Sequence, residues 1–264
     1  MDLGLGGATA VVQGGTSGMG RAAATCFAND GARVAVLART QAKIDETCAE
    51  LLASGSPEVL GLRADMTDAE EIGAAFAEVG DRWGSLNILV NAAGPSGAAK
   101  FDELTDDAWV RALDEGCLGM VRCVRAALPL LRQAEWARIV NVSAHSVKRQ
   151  GVGLVAYTAS KAAMTSVSKN LSLSLAPEEI LVNTVSPGSF ATPALNSWVE
   201  SMGGDPDDLY ATMGLIAEHF GHPAHLPRAG TPNEMGPVIA FLASKRNSYM
   251  TGADVNVDGG SDFC

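Results

Sequence analysis

Short apolar runs alternate with longer amphipathic stretches along this chain of 264 residues. The apolar runs consist almost without interruption of Val, Ile, Leu and Ala, which is typical of strands in a parallel sheet covered on both faces. Seven such runs predict strands at residues 8–13, 33–38, 58–64, 86–92, 137–143, 180–186 and 253–257.

The stretches between the strands have helical periodicity, and two of them begin with a capping signal. Thr105 precedes Asp106 and Asp107, and Thr231 precedes a Pro-Asn-Glu sequence. Strands that alternate with helices predict an α/β fold, a doubly wound parallel sheet with helices on both faces. The predicted helices span residues 18–30, 41–54, 69–83, 105–133, 157–177 and 232–244.

The composition limits the cellular location and the kinds of partner that we expect for this protein. The chain has no long linker or repeat, and we interpret residues 1–264 as a single domain. No apolar run reaches the roughly 18–20 residues that a membrane span needs, and no secretory signal is recognisable. Its five cysteines form no CxxC pair, which is typical of free thiols in a reducing compartment. We therefore expect a cytoplasmic protein without a membrane partner.

The net charge of −11 argues against nucleic acid as a partner, because nucleic-acid binders are usually basic. An anionic cofactor would need local positive charge. In a doubly wound sheet, ligands bind at the carboxyl ends of the strands, so the residues that follow each strand are the candidates for function.

The first strand is followed by "QGGTSGMG", residues 13–20. Glycine lets the backbone turn sharply and approach a pyrophosphate, whose charge is stabilised by the N-terminus of the next helix. A tight turn without a ligand would also use such glycines. We predict cofactor contacts from Gly14, Thr16, Ser17, Gly18, Met19 and Gly20.

Arg39 follows the second strand, where NAD-binding folds place an acidic residue for the ribose 2′-hydroxyl. An arginine there favours a 2′-phosphate, so NADP(H) is predicted over NAD(H). The alternative is an exposed, solvated arginine. The ends of later strands predict an adenosine-side pocket formed by Asp65, Met66, Asn91, Ala92, Ala93 and Gly94.

Tyr157 and Lys161, in the sequence "YTASK", lie one turn apart on a predicted helix. A neighbouring ammonium group lowers the pKa of a phenol because it stabilises the phenolate. The pair could then exchange a proton with a substrate oxygen while a nicotinamide cofactor exchanges a hydride. The spacing alone also fits an ordinary surface pair on a helix.

Nearly the whole chain resembles the short-chain dehydrogenase/reductase family. The matching pieces are "GGTSGMG", "ADMTD", "NAAG", "NVS", "YTASK", "VSPG", "RAGTPNEM" and "VDGG". The resemblance implies a Rossmann-type fold, a nicotinamide cofactor and reversible ketone/alcohol chemistry. It also implies that Tyr157 is the general acid/base and that Lys161 binds the ribose and lowers the tyrosine pKa. The nicotinamide end would be flanked by Pro187, Gly188, Phe190 and Thr192.

Two departures from the family pattern concern the strand ends and the long helix. Gln13 replaces the usual Thr and can still hydrogen-bond towards the strand of Asn91. Gly116, in "EGCLG", replaces an Asn that usually helps to hold a water molecule in the proton relay. A glycine there could permit the same local backbone distortion.

A third departure concerns the serine that lies 13 residues before the tyrosine in the family. Here that position is Ala144. We predict Ser143 as the catalytic serine because it ends the strand. Ser146 is the alternative, and His145 could also donate a hydrogen bond to a carbonyl oxygen.

Residues 193–227 follow the last cofactor motif and carry many large apolar side chains. We interpret this segment as a lid over a mostly apolar pocket; ordinary packing or a subunit interface are the alternatives. His219, His222 and His225 do not project from one regular helix face, and we expect no metal site. The apolar residues of the lid segment are Trp198, Met202, Tyr210, Met213, Leu215, Ile216 and Phe220.

The resulting hypothesis is an NADP(H)-preferring oxidoreductase that interconverts the ketone and secondary alcohol forms of a small, mostly apolar substrate. The helices at residues 105–133 and 157–177 are expected to pack against a second subunit, as a homotetramer or a dimer. Gly116 and Ala144 motivate an alternative, a nucleotide-binding sensor or scaffold protein with impaired catalysis.

Overall fold

A computed structural model describes residues 2–95, 97, 99–221 and 223–261, so that His222 and Cys264 lie outside the described residues. The described residues form one seven-stranded sheet in the order β3-β2-β1-β4-β5-β6-β7, and neighbouring strands are parallel throughout. The predicted doubly wound α/β sheet is therefore confirmed. The strands are β1 (Thr9–Gln13), β2 (Arg33–Ala38), β3 (Val59–Arg63), β4 (Ile88–Asn91), β5 (Ala137–Val142), β6 (Ile180–Pro187) and β7 (Asp254–Val257).

Helices cover both faces of the sheet, because alternate strand residues face opposite sides. In β2, Val34 and Val36 belong to one core with α1, α2 and α9, whereas Ala35 and Leu37 belong to a second core with α3, α5 and α6. The helices are α1 (Gly18–Asn29), α2 (Gln41–Ala53), α3 (Ala69–Trp83), α4 (Asp106–Leu113), α5 (Gly119–Leu131), α6 (Val155–Leu175), α7 (Pro193–Ser201), α8 (Leu209–Phe220) and α9 (Pro232–Leu242).

The helix predicted at residues 105–133 is present, but it is not α-helical throughout. A π-helical segment, Asp114–Leu118, joins α4 to α5. Gly116 lies inside this segment and packs closely against Ser160 of α6. Glycine permits this approach because it has no Cβ atom, and such π-segments often occur at functional sites.

The segment at residues 193–227 contains α7 and α8, which follow the carboxyl end of β6. Thr192 caps α7 by accepting a hydrogen bond from Leu195 N at 3.5 Å, and Asp208 caps α8 through Tyr210 N and Ala211 N. In the described part of the chain, no helix has both the length and the apolar character needed to cross a bilayer.

Candidate active site

The turn after β1 brings the backbone of three glycines into close contact. Gly14 and Gly18 have positive φ values of 77° and 51°, which favour glycine. A Cβ atom on Gly14 would lie 2.6 Å from Ala93 N, and one on Gly20 would lie 2.9 Å from the carbonyl carbon of Gly14. The turn leads directly into α1, whose first N–H groups lack partners within the helix and suit an anion. The arrangement fits the pyrophosphate of a dinucleotide.

Side-chain hydrogen bonds connect the strand ends around this turn. Gln13 accepts a hydrogen bond from Ala93 N at 3.0 Å, which confirms the contact expected for the residue in place of Thr. The buried Asn91 donates to Asn141 Oδ1 at 2.8 Å, and Asn141 donates in turn to Ser168 of α6. These bonds fix the ends of β1, β4 and β5 relative to the helix that carries Tyr157.

Arg39 lies at the carboxyl end of β2 with 73% of its side chain exposed. Its Nη1 atom is 3.8 Å from Asp65 Oδ2, an exposed contact that contributes little to stability. Hydrogen bonds from Thr67 N and the Thr67 hydroxyl, helped by Arg39, hold the pKa of Asp65 below its ordinary value. The guanidinium group is therefore open to a further anion, as a 2′-phosphate site requires.

Lys161 is almost fully buried, with 3% of its surface exposed. Its Nζ atom donates a hydrogen bond to the Val142 carbonyl at 2.8 Å. It also lies only 2.7 Å from the position that a Cβ atom would occupy if residue 94 were not glycine. Burial lowers the pKa of Lys161 to about 8, an effect that nearby Cys117 partly opposes. The ammonium group thus remains charged at neutral pH while two of its N–H donors have no recorded acceptor among the described residues.

Burial raises the pKa of Tyr157 to about 12. This direction is opposite to the lowering expected from the sequence, because removal of the phenolate from water disfavours the charged form. The phenol is therefore fully protonated at neutral pH, which suits a proton donor.

The loop after β5 holds the candidates for the serine role. Ser143 Oγ is 2.7 Å from Thr165 Oγ1 and 3.3 Å from the Lys161 carbonyl. Ser146 Oγ accepts a hydrogen bond from Thr158 Oγ1 at 3.1 Å. His145 Nδ1 lies 3.0 Å from the Pro187 carbonyl. All three side chains, with Ala144, line the same cleft.

This cleft has a volume of about 660 Å³ and runs from the first turn of α1 to α7 and α8. Thr192, which precedes α7, lies next to the start of α1 at the other end of the cleft. Its side chain is 3.3 Å from the position that a Cβ atom on Gly18 would occupy. The predicted cofactor residues among its walls are Met19, Tyr157, Pro187, Gly188, Phe190 and Thr192.

Only part of the predicted lid segment faces the cleft. Trp198 packs against Phe220 at a ring distance of 5.3 Å, and both line the cleft together with Ile216. Tyr210 is instead 64% exposed, and Met213 is buried away from the cleft walls.

Several lining residues were missed by sequence reasoning, among them Arg149 and Leu154. Arg149 and Leu154 lie in the loop between β5 and α6, which carries no recognisable motif. The Arg149 guanidinium donates to the carbonyls of Gly221 and Ser261, and so connects this loop to the end of α8.

The histidines of the lid segment do not form a metal site in the described part of the chain. His219 Nδ1 is 2.9 Å from the Leu215 carbonyl, and its ring packs against Trp198. Among the described residues, no three His, Cys, Asp or Glu side chains come together in a way that could hold a metal ion.

Comparison with known proteins agrees with this geometry. A family model described as enoyl-(acyl carrier protein) reductase matches residues 14–262. The short-chain reductase protein NovJ of Streptomyces niveus is 30% identical over 95% of this chain and 92% of its own. L-Sorbose reductase from Gluconobacter frateurii, solved with NADPH and L-sorbose, is 28% identical, with a TM-score of 0.90 over 100% of both chains. A variant of actinorhodin polyketide ketoreductase, solved with NADPH, is 29% identical, with a TM-score of 0.88 over 97% of both chains. The chain belongs to the short-chain dehydrogenase/reductase family.

Proposed function

We propose that this protein uses NADPH to reduce a ketone on a small, mostly apolar molecule, with Tyr157 as the proton donor. Hydride exchange between a nicotinamide nucleotide and a ketone/alcohol pair is the chemistry of the family to which the chain belongs. One observation carries the assignment of Tyr157. Its side chain lines the same cleft as Met19 of the glycine turn and Pro187 and Gly188 at the end of β6.

The glycine turn, the strand ends and Arg39 support the choice of NADP(H). The two solved relatives with TM-scores of 0.88 and 0.90 contain NADPH. In this chain, Arg39 is mostly exposed and would face a 2′-phosphate, and the buried Lys161 would hold the nicotinamide ribose. The other residues proposed to contact the cofactor are Gly14, Thr16, Ser17, Gly18, Met19, Gly20, Asp65, Met66, Asn91, Ala92, Ala93, Gly94, Pro187, Gly188, Phe190 and Thr192.

The proton chemistry follows from the position of Tyr157 in the cleft wall and from the buried Lys161 one helical turn away. When bound, the nicotinamide supplies the hydride that adds to the carbonyl carbon. The carbonyl oxygen then takes the phenol proton of Tyr157 and becomes the alcohol. The Lys161 ammonium stabilises the phenolate left behind, and a proton from solvent regenerates the phenol.

The walls of the cleft support an apolar substrate. Leu154, Leu195, Trp198, Ile216 and Phe220 contribute apolar surface on the side of α7 and α8. A polar substrate would lose hydration there without compensating hydrogen bonds. We propose that α7 and α8 form the lid that covers the substrate.

We also propose a cytoplasmic homo-oligomer, a dimer or a tetramer. Val110 and Leu113 of α4, Leu118 of the π-segment and Leu173 of α6 are exposed large apolar side chains, which suits burial against another subunit. Cys26, Cys48, Cys117 and Cys123 are free thiols, as expected in a reducing compartment.

Turnover by the purified protein tests the proposed function. NADPH binding is measured by fluorescence, and NADPH consumption is measured across a panel of apolar and polar ketones. We expect binding together with turnover of apolar ketones. Binding without turnover over the whole panel would contradict the proposal and favour the sensor or scaffold hypothesis.

A further inference from the structure

We propose that the Ser146 hydroxyl, oriented by Thr158, donates the hydrogen bond that polarises the substrate carbonyl. This inference rests on the proposed function, because it names a second donor for the same oxygen that Tyr157 protonates. Ala144, which occupies the position of the family's serine, lines the cleft, and its side chain cannot donate a hydrogen bond. The donor must come from a neighbouring side chain.

The Ser143 hydroxyl has hydrogen-bond acceptors within the protein. A serine or threonine hydroxyl donates one hydrogen bond. Ser143 Oγ and Thr165 Oγ1 are 2.7 Å apart, and both are within hydrogen-bond distance of the Lys161 carbonyl, at 3.3 Å and 3.0 Å. When Thr165 donates to the carbonyl, the Ser143 proton lies between the two hydroxyls, so donation from Ser143 to a substrate would break a hydrogen bond between β5 and α6. Ser143 therefore stabilises the position of α6.

His145 is also unsuitable as a donor in its neutral form. Its Nδ1 atom is 3.0 Å from the Pro187 carbonyl oxygen, which can only accept a hydrogen bond. Nδ1 must therefore carry the proton, and Nε2 of the neutral ring is an acceptor. A substrate carbonyl oxygen, also an acceptor, would gain nothing from it.

Ser146 is the remaining hydroxyl, and its hydrogen bond leaves a proton available. Thr158 Oγ1 donates to Ser146 Oγ at 3.1 Å, and no acceptor for the Ser146 proton is recorded among the described residues. Ser146 is 2% exposed and lines the cleft that Tyr157 also lines. Thr158 directly follows Tyr157 on α6. The same helical turn therefore positions the Tyr157 phenol and, through Thr158, the Ser146 hydroxyl.

The direction of this chain of hydrogen bonds strengthens the donor. A hydroxyl that accepts a hydrogen bond becomes a better donor, so Thr158 increases the polarity of the Ser146 proton. The donor is held by a helix residue and a short helical turn at His145–Val147, and does not need to reorganise when charge develops on the substrate oxygen.

Four variants test this assignment. We expect Ser146→Ala to lower kcat by roughly 10²–10³-fold, as for other single donors to a developing oxyanion. Thr158→Val should lower kcat by about tenfold, because it removes the orienting hydrogen bond. Ser143→Ala should lower the melting temperature, and its loss of kcat should be smaller than that of Ser146→Ala. Ser174→Ala, which removes an exposed hydroxyl from the same helix, is the matched control.

A rescue variant separates a catalytic role from a structural one. Adding Ala144→Ser to Ser146→Ala returns a hydroxyl to the neighbouring position and should recover at least about tenfold of the lost kcat. NADPH binding and thermal melting are measured for every variant. If Ser146→Ala does not fold, the Thr158→Val result decides the question.

Full activity of Ser146→Ala or of Thr158→Val, or a kcat loss in Ser143→Ala larger than in Ser146→Ala, would overturn the proposal. Tyr157→Phe distinguishes this failure from failure of the proposed function. If Tyr157→Phe is inactive and Ser146→Ala is fully active, only the role of Ser146 is wrong. If Tyr157→Phe remains active, Tyr157 is not the proton donor; if the wild-type protein binds NADPH but reduces no ketone, the proposed function itself is wrong.

Discussion

A Cβ atom on Gly116 would lie 2.6 Å from the Cβ atom of Ser160, and closer still to Ser160 Oγ. The backbone of the π-segment is thus in contact with the side chain of Ser160, one residue before Lys161 on α6. Ser160 Oγ also donates to the Tyr157 carbonyl at 2.7 Å, so it cannot move without disturbing the turn that carries both proposed catalytic residues. This packing is possible only because Gly116 has no side chain.

The first prediction is that Gly116→Asn destabilises the protein and does not improve the proton relay. The added side chain would push the π-segment away from Ser160, and overpacking of this kind costs about 1–3 kcal/mol. The free energy of unfolding, measured by chemical denaturation, and kcat should both be lower than in the wild type. Gly73→Ala in α3 is the control, because no atom lies within 4 Å of the added methyl group. Higher activity of the Gly116→Asn variant at unchanged stability would contradict this account.

Tyr157→Phe provides the second prediction. Loss of the phenol proton should lower kcat by about 10³-fold, within the range for removal of a general acid. The ring is retained, so the cleft and the affinity for NADPH should not change by more than about twofold. Steady-state kinetics and fluorescence titration measure the two quantities. A kcat near that of the wild type would remove Tyr157 from the mechanism.

The pH dependence of cofactor use provides the third prediction. Burial lowers the pKa of Lys161 to about 8, so the ammonium group is present below that pH and is lost as the pH rises through it. The value of kcat/KM for NADPH, which reports groups of the free enzyme, should therefore fall above about pH 8.

Two variants provide the controls for this profile. Lys161→Met should be weakly active with no such fall, since it has no group that titrates there. Lys245→Met, on the exposed surface beside Glu135, should keep the wild-type profile. If the fall persists in Lys161→Met, another group is responsible.

Arg39 provides the fourth prediction. Arg39→Asp should reverse the preference between NADPH and NADH, because a carboxylate repels the 2′-phosphate and accepts hydrogen bonds from a 2′-hydroxyl. We expect kcat/KM for NADPH to fall by at least about tenfold while that for NADH is retained or rises. Arg63→Asp on the neighbouring strand, an exposed residue paired with Glu71, controls for a general change in charge. An unchanged ratio would mean that Arg39 is a solvated surface residue.

The fold could be predicted from the sequence because each buried strand and each amphipathic helix has a local signal. The parallel sheet and the hydrogen bond of Gln13 towards the strand of Asn91 followed from such signals. The π-segment did not, because a π-turn depends on the close approach of Gly116 to α6, a contact distant in sequence.

The candidate site likewise has some features that the sequence predicts and others that only the folded chain shows. The positions of Tyr157 and Met19 follow from motifs, and both line the cleft. The raised pKa of Tyr157 depends on burial by residues from several elements, which spacing does not describe. The hydrogen-bond partners of Ser143 and Ser146 are Thr165 and Thr158, contacts that only the folded chain shows.

The last prediction concerns the lid. Trp198 of α7 packs against Phe220 and His219 of α8 and forms part of the cleft wall. Trp198→Ala should therefore raise KM for bulky apolar ketones by about tenfold or more, since it removes apolar contact area worth about 1–3 kcal/mol. Small ketones, which do not reach this wall, should be affected less, and NADPH affinity should stay the same.

Tyr210→Ala is the matched control for the lid, because Tyr210 lies on α8 but points into solvent. It should leave KM unchanged for both small and bulky ketones. An equal loss for both sizes of ketone in Trp198→Ala would mean that α7 and α8 act on the stability of the site as a whole. A loss confined to bulky ketones would identify these helices as the elements that select the substrate.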